Sequence, residues 1–410
     1  MSKKNKKSIL FVVPYGFNDR MSSYVEFVAG RLLAKNGWSV IVLVRSEDEK
    51  NNRDQLYGIT VYRYTTLWSA LLQFLQILYR QRPQIFHFVT LRNNRVGIIT
   101  SLLAKLTGKK IICTEYGLLH DHYLVDDRDD PLSVPLKKDG LIFSVKQIFA
   151  AKNSLKNNVK NYFFHWPLTH ADTVLFVTKH NVPLAQQLGL QNITYLPYLL
   201  DNCRWEDKKV ETNKKVDEED VRALAAIKKI NGPYALFIGQ LKLRKGWDVL
   251  LKAIPHVNKN LLPYFILITS SQADEPAELT TLLQQDDIRN RVLLFRKISN
   301  EVLAQVYKQS SIVVLPSRYE GFGLVAVEAF EQHKPLVASN VPAINEHVRH
   351  EQNGLLFPNK NYKKLADELE RLSRDDELKN RLIQGGDETL RQFKSETRKK
   401  QWLDFYNHSL

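Results

Sequence analysis

The sequence predicts an α/β protein made of two parallel-sheet domains in series, facing each other across a cleft. Three observations predict it. Short β-branched runs alternate with segments of helical period from one end to the other, the pattern of parallel strands joined by crossover helices. These runs fall into two series, separated by a charge-dense stretch over residues 201–231 that contains no β-branched run. The chain has 410 residues, enough for two or three domains of roughly 100–200 residues each. Open parallel sheets bind ligands beyond the carboxyl ends of their strands, so two in series favour an enzyme with two substrates.

Taken in order, the first series places strands at residues 9–13, 40–44, 85–88, 110–114 and 173–177, with amphipathic stretches such as 24–35 and 96–106 between them. Residues 67–80 carry Leu67, Leu71, Leu72, Leu75 and Leu78 on one helical face, followed by Arg80 and Arg82. That helix suits either the side of a sheet or a surface of acidic lipid. Residues 201–231 read as a linker with a solvated helix. The second series places strands at 234–238, 265–269, 292–295, 312–315 and 335–338. Near the end, Trp402, Phe405 and Tyr406 lie at i, i+3, i+4, an apolar face in need of a partner surface. The expected division is a domain over 1–200, a linker over 201–231, a second domain over 232–390, and a C-terminal helix over 391–410 returning toward the first domain.

Fifty-nine Lys and Arg against 44 Asp and Glu give a net charge of +15, which invites an anionic partner. The excess sits in the first half: residues 1–200 carry +12 and residues 201–410 carry +3. Nucleic acid is a weak candidate, because the basic residues are not interleaved with an aromatic platform or a binding motif. Two cysteines, Cys113 and Cys203, exclude a disulfide framework and fit a reducing compartment. The run from Ile9 to Val13 stops at Pro14 without a cleavage signature, so no signal peptide is expected. The greasiest stretch, residues 67–79, falls short of the roughly 20 residues that span a bilayer. The expected location is cytoplasmic, with peripheral contact at the inner face of a membrane as the use for the basic half.

Two strand-to-helix junctions carry the chemistry. After residues 312–315, a loop with Ser317, Glu320, Gly321, Phe322 and Gly323 leads into a helix. Glycines there let a ligand approach the backbone, and the amides of Gly323, Leu324 and Val325 face it at the positive helix end, which makes an anion site. Glu320 and Glu328 are about one and a half helical turns or more apart, so they do not form a proton-sharing pair. Each is suited instead to accept hydrogen bonds from the hydroxyls of a sugar. A lone Gly-x-Gly is more often an ordinary turn, but a second junction changes the weighing. After residues 234–238 come Gly239, Gln240, Lys242, Arg244, Lys245 and Gly246, again strand, glycine loop and helix, now with cations suited to phosphate oxygens.

Together these motifs resemble the glycosyl transferases group one family, the retaining GT-B glycosyltransferases related to glycogen synthase and sucrose synthase. The resemblance is strongest over residues 232–358, with Glu320 and Glu328 as its E-x7-E motif and Gly239 to Gly246 as its glycine-lysine loop. It also covers a small-residue turn after residue 335 and a glycine hairpin over 353–358. The resemblance implies a GT-B fold of two Rossmann-like domains, a nucleoside diphosphate sugar donor, and transfer of a hexose to a hydroxyl acceptor with retention. Gly239, Gln240, Arg244, Lys245, Gly323, Leu324 and Val325 would hold the donor diphosphate. Glu320, Gly321, Phe322 and Gly323 would meet the donor sugar, Glu328 the ribose, and Arg296, Lys297 and Ile298 the base. Glu320 and Lys245 would be catalytic, as would Tyr116 or His120 in the place of the family's histidine. Gly16, Arg20 and Ser22 would form the N-terminal loop. No metal and no cofactor besides the substrate is implied.

The chain departs from the family pattern at Gln240, where an arginine is usual, at Tyr116, and in the Gly16 loop, which lacks the usual glycine pair. His120 and His122 could supply the histidine from a longer loop or simply pair with the acidic run 126–130. The expected function is transfer in cell-surface glycan or glycolipid assembly, to a glycan or lipid-linked acceptor. The alternative is a non-catalytic glycosyltransferase-like subunit that stabilises an active partner, which the same departures would allow. A sugar-nucleotide epimerase would need acid/base carboxylates and histidines that the motifs do not place.

Overall fold

The computed structural model describes residues 6–14, 16–17, 24–46, 53–89, 95–115, 145–150, 154–187, 189–201, 217–269 and 276–410. Those residues fall into two compact units. The first holds the chain to residue 201 together with Phe393–Leu410, and the second holds residues 217–392.

In the first unit eight strands form one sheet: β1 Ser8–Val13, β2 Ser39–Arg45, β3 Arg53–Leu56, β4 Ile59–Tyr64, β5 Ile85–Val89, β6 Lys110–Glu115, β7 Thr173–Phe176 and β8 Ile193–Tyr195. Their order is β3-β4-β2-β1-β5-β6-β7-β8. Every pairing is parallel except β3 with β4. That antiparallel edge hairpin turns at Tyr57 and Gly58, both at positive φ (53° and 79°), the conformation that matches the twist of two adjoining strands. The central strands are buried on both faces, as helices cover both sides.

In the second unit six strands, β9 Tyr234–Ile238, β10 Tyr264–Thr269, β11 Val292–Arg296, β12 Ile312–Leu315, β13 Leu336–Asn340 and β14 Leu355–Pro358, run in the order β11-β10-β9-β12-β13-β14. All are parallel. Both sheets therefore build outward on one side from their first strand and then cross back, which is doubly wound topology. The order reverses between β1 and β5 in the first sheet and between β9 and β12 in the second. Beyond the carboxyl ends of those strand pairs lie the crevices in which such sheets take ligands.

Strands β3, β4 and β8 have no counterpart in the sequence reading, and three further segments differ from it. Residues 355–358, read as a glycine hairpin, are strand β14, paired in parallel with β13. Residues 218–229, read as a solvated helix in a linker, form a helix that buries Ala223 and Ile227, and its Arg222 guanidinium lies over the Phe295 ring of β11. The helix Leu67–Gln81 turns Ala70, Phe74 and Ile77 inward. Its leucines at 72 and 75 stay exposed. A helix that is apolar nearly all round gives periodicity no face to choose.

The last helix, Glu396–His408, buries Trp402 and Tyr406 completely in the first unit. The Trp402 indole donates to the Pro197 carbonyl at 2.9 Å, and Arg398 donates to the Tyr198 carbonyl at 2.7 Å. Below them His87 of β5 sits fully enclosed, 2.9 Å from the Tyr406 hydroxyl through Nδ1 and 2.5 Å from Thr114 through Nε2. Burial pushes the pKa of His87 down to about 3, because a charged imidazole loses its hydration there. Its ordinary value is 6.5, so below that pH the unfolded chain takes up a proton that the folded one refuses. His87 therefore gives its full contribution above pH 6.5, and stability falls as pH drops toward 3. We expect a loss of about 2 kcal/mol between pH 7 and pH 5 from this group. Denaturant midpoints at the two pH values check it: His87→Gln should show a shallower dependence, and an unchanged slope would remove His87 as the cause.

Candidate functional site

The crevice of the second sheet is assembled from two loops that the strand order makes neighbours although they are some seventy residues apart in sequence. One leaves β9 and passes through a tight turn at Leu243–Lys245, closed by Gly246 in the left-handed region at φ 69°. The other leaves β12 through Pro316 and Ser317 and enters the helix Leu324–Glu331, whose cap Gly323 is also left-handed, at φ 87°. Glycine is required at 246 for space as well as for angle. A Cβ there would stand 1.8 Å from the Pro316 carbonyl oxygen, far inside van der Waals contact, so the two loops touch backbone to backbone.

Arg318 locks them together. Its guanidinium grips both oxygens of Asp248 at 2.6 Å each, donates to the Leu243 carbonyl, and its backbone amide donates to the Arg244 carbonyl at 2.8 Å. Such a planar fork on a buried carboxylate fixes geometry as well as contributing energy. Ser339 of β13 donates to the Ser317 carbonyl from behind. On this frame Lys245 Nζ lies 2.6 Å from Glu320 Oε1, and Ser317 Oγ donates to the same oxygen at 2.7 Å. The Arg244 guanidinium lies 3.9 Å from Glu320 Oε2.

Glu320 is buried, and burial alone would raise its pKa. The cations Lys245 and Arg244, with the hydrogen bonds from Lys245 and Ser317, outweigh burial and hold the carboxyl below the usual range. The site thus keeps an ionised carboxylate beside two cations. An ammonium has three protons to donate and spends one on Glu320. The others are available to an anion entering the crevice, where the first amides of the helix at 324 have no carbonyls of their own to bond within it.

Glu328 lies about a turn into the same helix. The Tyr307 hydroxyl, on the helix Asn300–Gln309, donates to its Oε2 at 2.7 Å. Phe322 stacks on His347 with ring centroids 4.7 Å apart. Gly239 packs beside Lys245, whereas Gln240 is exposed. Arg296 ends β11, two strands out from β9, and Lys297 and Ile298 follow it. There the Lys297 amide donates to the Thr269 carbonyl at 2.7 Å with the residue itself at φ 47°. Gly16 follows β1 in the first unit, and the neighbouring Phe17 carbonyl accepts from Arg63 at 3.1 Å. Arg20, Ser22, Tyr116, His120 and His122 lie outside the described residues.

Three contributors escaped the sequence reading, Tyr307 and the pair Arg318–Asp248, and Ser317 was named there as a loop residue without a role. Only that pair left a signal in the sequence, an arginine in one glycine loop and an aspartate just past the other.

Residues 221–389 match the family model for glycosyl transferases group 1. That span takes in the whole second sheet and every residue of the crevice just described. Over 305 residues the chain is 29% identical to an uncharacterized glycosyltransferase of Methanocaldococcus jannaschii, covering 72% of this chain and 77% of that protein. Four other curated glycosyltransferases, including a D-inositol 3-phosphate glycosyltransferase of Xylanimonas cellulosilytica, align over less than half of their own length. Among solved structures it superposes on sucrose-phosphate synthase from Thermosynechococcus elongatus with a TM-score of 0.71 at 19% identity, covering 98% of this chain and 99% of that one. It superposes on HepE of Anabaena in complex with UDP-glucose with a TM-score of 0.66 at 15% identity, covering 98% and 99%. The fold is GT-B, two parallel-sheet α/β domains.

Proposed function

We propose that this protein is a retaining glycosyltransferase that moves a hexose from a nucleoside diphosphate donor to a hydroxyl acceptor. The single observation that carries the reading is the buried Lys245–Glu320–Ser317 cluster at the switch point of the second sheet. It sets an ionised acceptor of sugar hydroxyls beside the cations that a leaving diphosphate needs. The solved complex of HepE with UDP-glucose supports a donor of this class.

In this reading Lys245, Arg244 and the amides of Gly323, Leu324 and Val325 hold the diphosphate, and Gly239 and Gln240 border it. Glu320 accepts from the transferred sugar beside Gly321 and Phe322, and Glu328 accepts from the ribose. The base rests by Arg296, Lys297 and Ile298. The bond from the anomeric carbon to the diphosphate oxygen breaks as the acceptor oxygen bonds on the same face, and the departing oxygen takes the acceptor's proton. The cations and helix amides offset the charge that develops on that oxygen, so the proposal includes no metal. The acceptor is a glycan or lipid-linked sugar met at an acidic membrane surface, in keeping with the +12 of residues 1–200.

A panel of uridine, guanosine and adenosine diphosphate sugars, followed by NMR for binding, hydrolysis and the anomeric configuration of product, tests it. Binding and turnover of at least one donor with retention are expected. Neither binding nor hydrolysis of any would sink the reading, and inversion would overturn its stereochemistry. Glu328→Gln should weaken donor binding about tenfold, since a neutral amide accepts less strongly from a diol than a carboxylate does. Unaltered affinity in a calorimetric titration would take Glu328 off the ribose.

A further inference from the structure

We infer that the helical layer on one face of the first sheet is a docking surface for a bilayer of anionic lipid. This deepens the reading of an acceptor met at an acidic membrane, and names the surface that meets it.

The helix Leu67–Gln81 is amphipathic twice over. Ala70, Phe74 and Ile77 face the sheet, while Trp68, Leu72, Leu75 and Tyr79 are 76%, 69%, 50% and 79% exposed. The second set falls at i, i+4, i+7 and i+11, one continuous stripe along the helix. The helix Arg95–Lys105 packs beside it, the helix Leu155–His170 beside that, and the helix Val145–Ala150 against the last. Leu106, Phe149, Leu155 and Phe163 on these neighbours are exposed as well. Scattered single exposures are ordinary, but a stripe of four large apolar side chains along one helix calls for a partner.

Charge selects the partner. Residues 55–114 contain eight Lys or Arg and no Asp or Glu, and residues 140–171 contain four Lys and no Asp or Glu. Every described segment of these helices falls within those two spans, so the layer has no carboxylate of its own. Arg80, Arg82, Arg95, Lys105, Lys146 and Lys156, on or beside these helices, are exposed. Tryptophan and tyrosine at the ends of an apolar stripe, ringed by cations and free of acids, suit the headgroup level of an anionic membrane. A protein partner of ordinary surface would be expected to meet some complementary charge of both signs. Lys7 is not part of this surface. Lys7 is held by Asn407 at 2.7 Å and lies over the Trp38 ring, with the helix Glu396–His408, whose Tyr406 packs on Phe11. Leu10 and Val12 face Phe74 instead, and alternation along β1 puts Phe11 on the opposite side of the sheet.

Co-sedimentation of the full chain with phosphatidylglycerol vesicles and with phosphatidylcholine vesicles tests the inference. The protein should partition to the first at low salt, release as salt rises, and bind the second at least tenfold less. The combined variant Trp68→Ser, Leu72→Ser, Tyr79→Ser alters only exposed positions and should lose at least tenfold in partition. Arg80→Glu with Arg82→Glu should do the same, with a weaker salt dependence in what remains. Nucleotide-sugar binding in vesicle-free buffer should be unchanged in both, which separates failure of this surface from failure of the donor site. If the wild type ignores phosphatidylglycerol vesicles, or if both variants bind them as it does, the surface serves something other than a membrane and the inference falls.

Discussion

Lys245→Ala is expected to lower turnover by about 10²–10³-fold, the range found when one donor to a developing oxyanion is removed, while the chain stays folded. Lys245 is the cation in direct contact with Glu320, so its loss acts twice. The diphosphate oxygen leaves without its compensating charge, and the Glu320 carboxylate loses the main group that keeps it ionised against burial. Breaking a fully buried ion pair costs about 3–5 kcal/mol. Here Ser317 and Arg244 remain beside Glu320 and Lys245 is partly exposed, so the stability loss should be nearer 1–2 kcal/mol, about the cost of one unsatisfied buried group. Steady-state rates and a denaturant titration on the same preparation check both halves. An unchanged rate would hand the phosphate role to Arg244.

Gly246→Ala should have the largest effect on folding of any conservative change in the crevice. The added Cβ meets a backbone oxygen at 1.8 Å, and a backbone atom cannot rotate aside as a side chain can. Left-handed φ adds roughly 1–2 kcal/mol and overpacking typically another 1–3 kcal/mol, so about 3–4 kcal/mol is expected. To relieve the clash the β9 loop must part from the β12 loop, which would also pull the Arg318 fork off Asp248 and Lys245 off Glu320. Activity should therefore fall together with the melting temperature. A variant that melts like the wild type would mean that the two loops do not meet as described.

The fold was legible because each central strand is a short β-branched run bounded by turn residues, and parallel strands buried on both faces leave that mark. The edges were less so. Strand β3, Arg53–Leu56, is largely exposed and has no apolar pattern, and β14 was hidden behind a glycine turn. The glycine loops of the crevice and the cations at 244 and 245 could be read directly, since backbone approach to an anion needs those residue types at such a junction. What joins the loops could not. Lys245 meets Glu320 only because the strand order sets β9 beside β12, and Tyr307 meets Glu328 only because the helices before and after β12 pack on one another. Pairing across a sheet is a property of topology, which periodicity along one chain does not carry. The exposed stripe of the helix Leu67–Gln81 was likewise ambiguous until Ala70, Phe74 and Ile77 were seen to take the inner face.

The central claim is that the crevice between β9 and β12 holds a diphosphate on Lys245. Calorimetric titration of the wild type and of Lys245→Ala with uridine, guanosine and adenosine diphosphates, each against its parent nucleoside, tests it most directly. The account predicts that the wild type binds at least one diphosphate tenfold or more tighter than the nucleoside, and that Lys245→Ala erases most of that margin while leaving nucleoside affinity in place. Equal affinity of the two proteins for every diphosphate would contradict it.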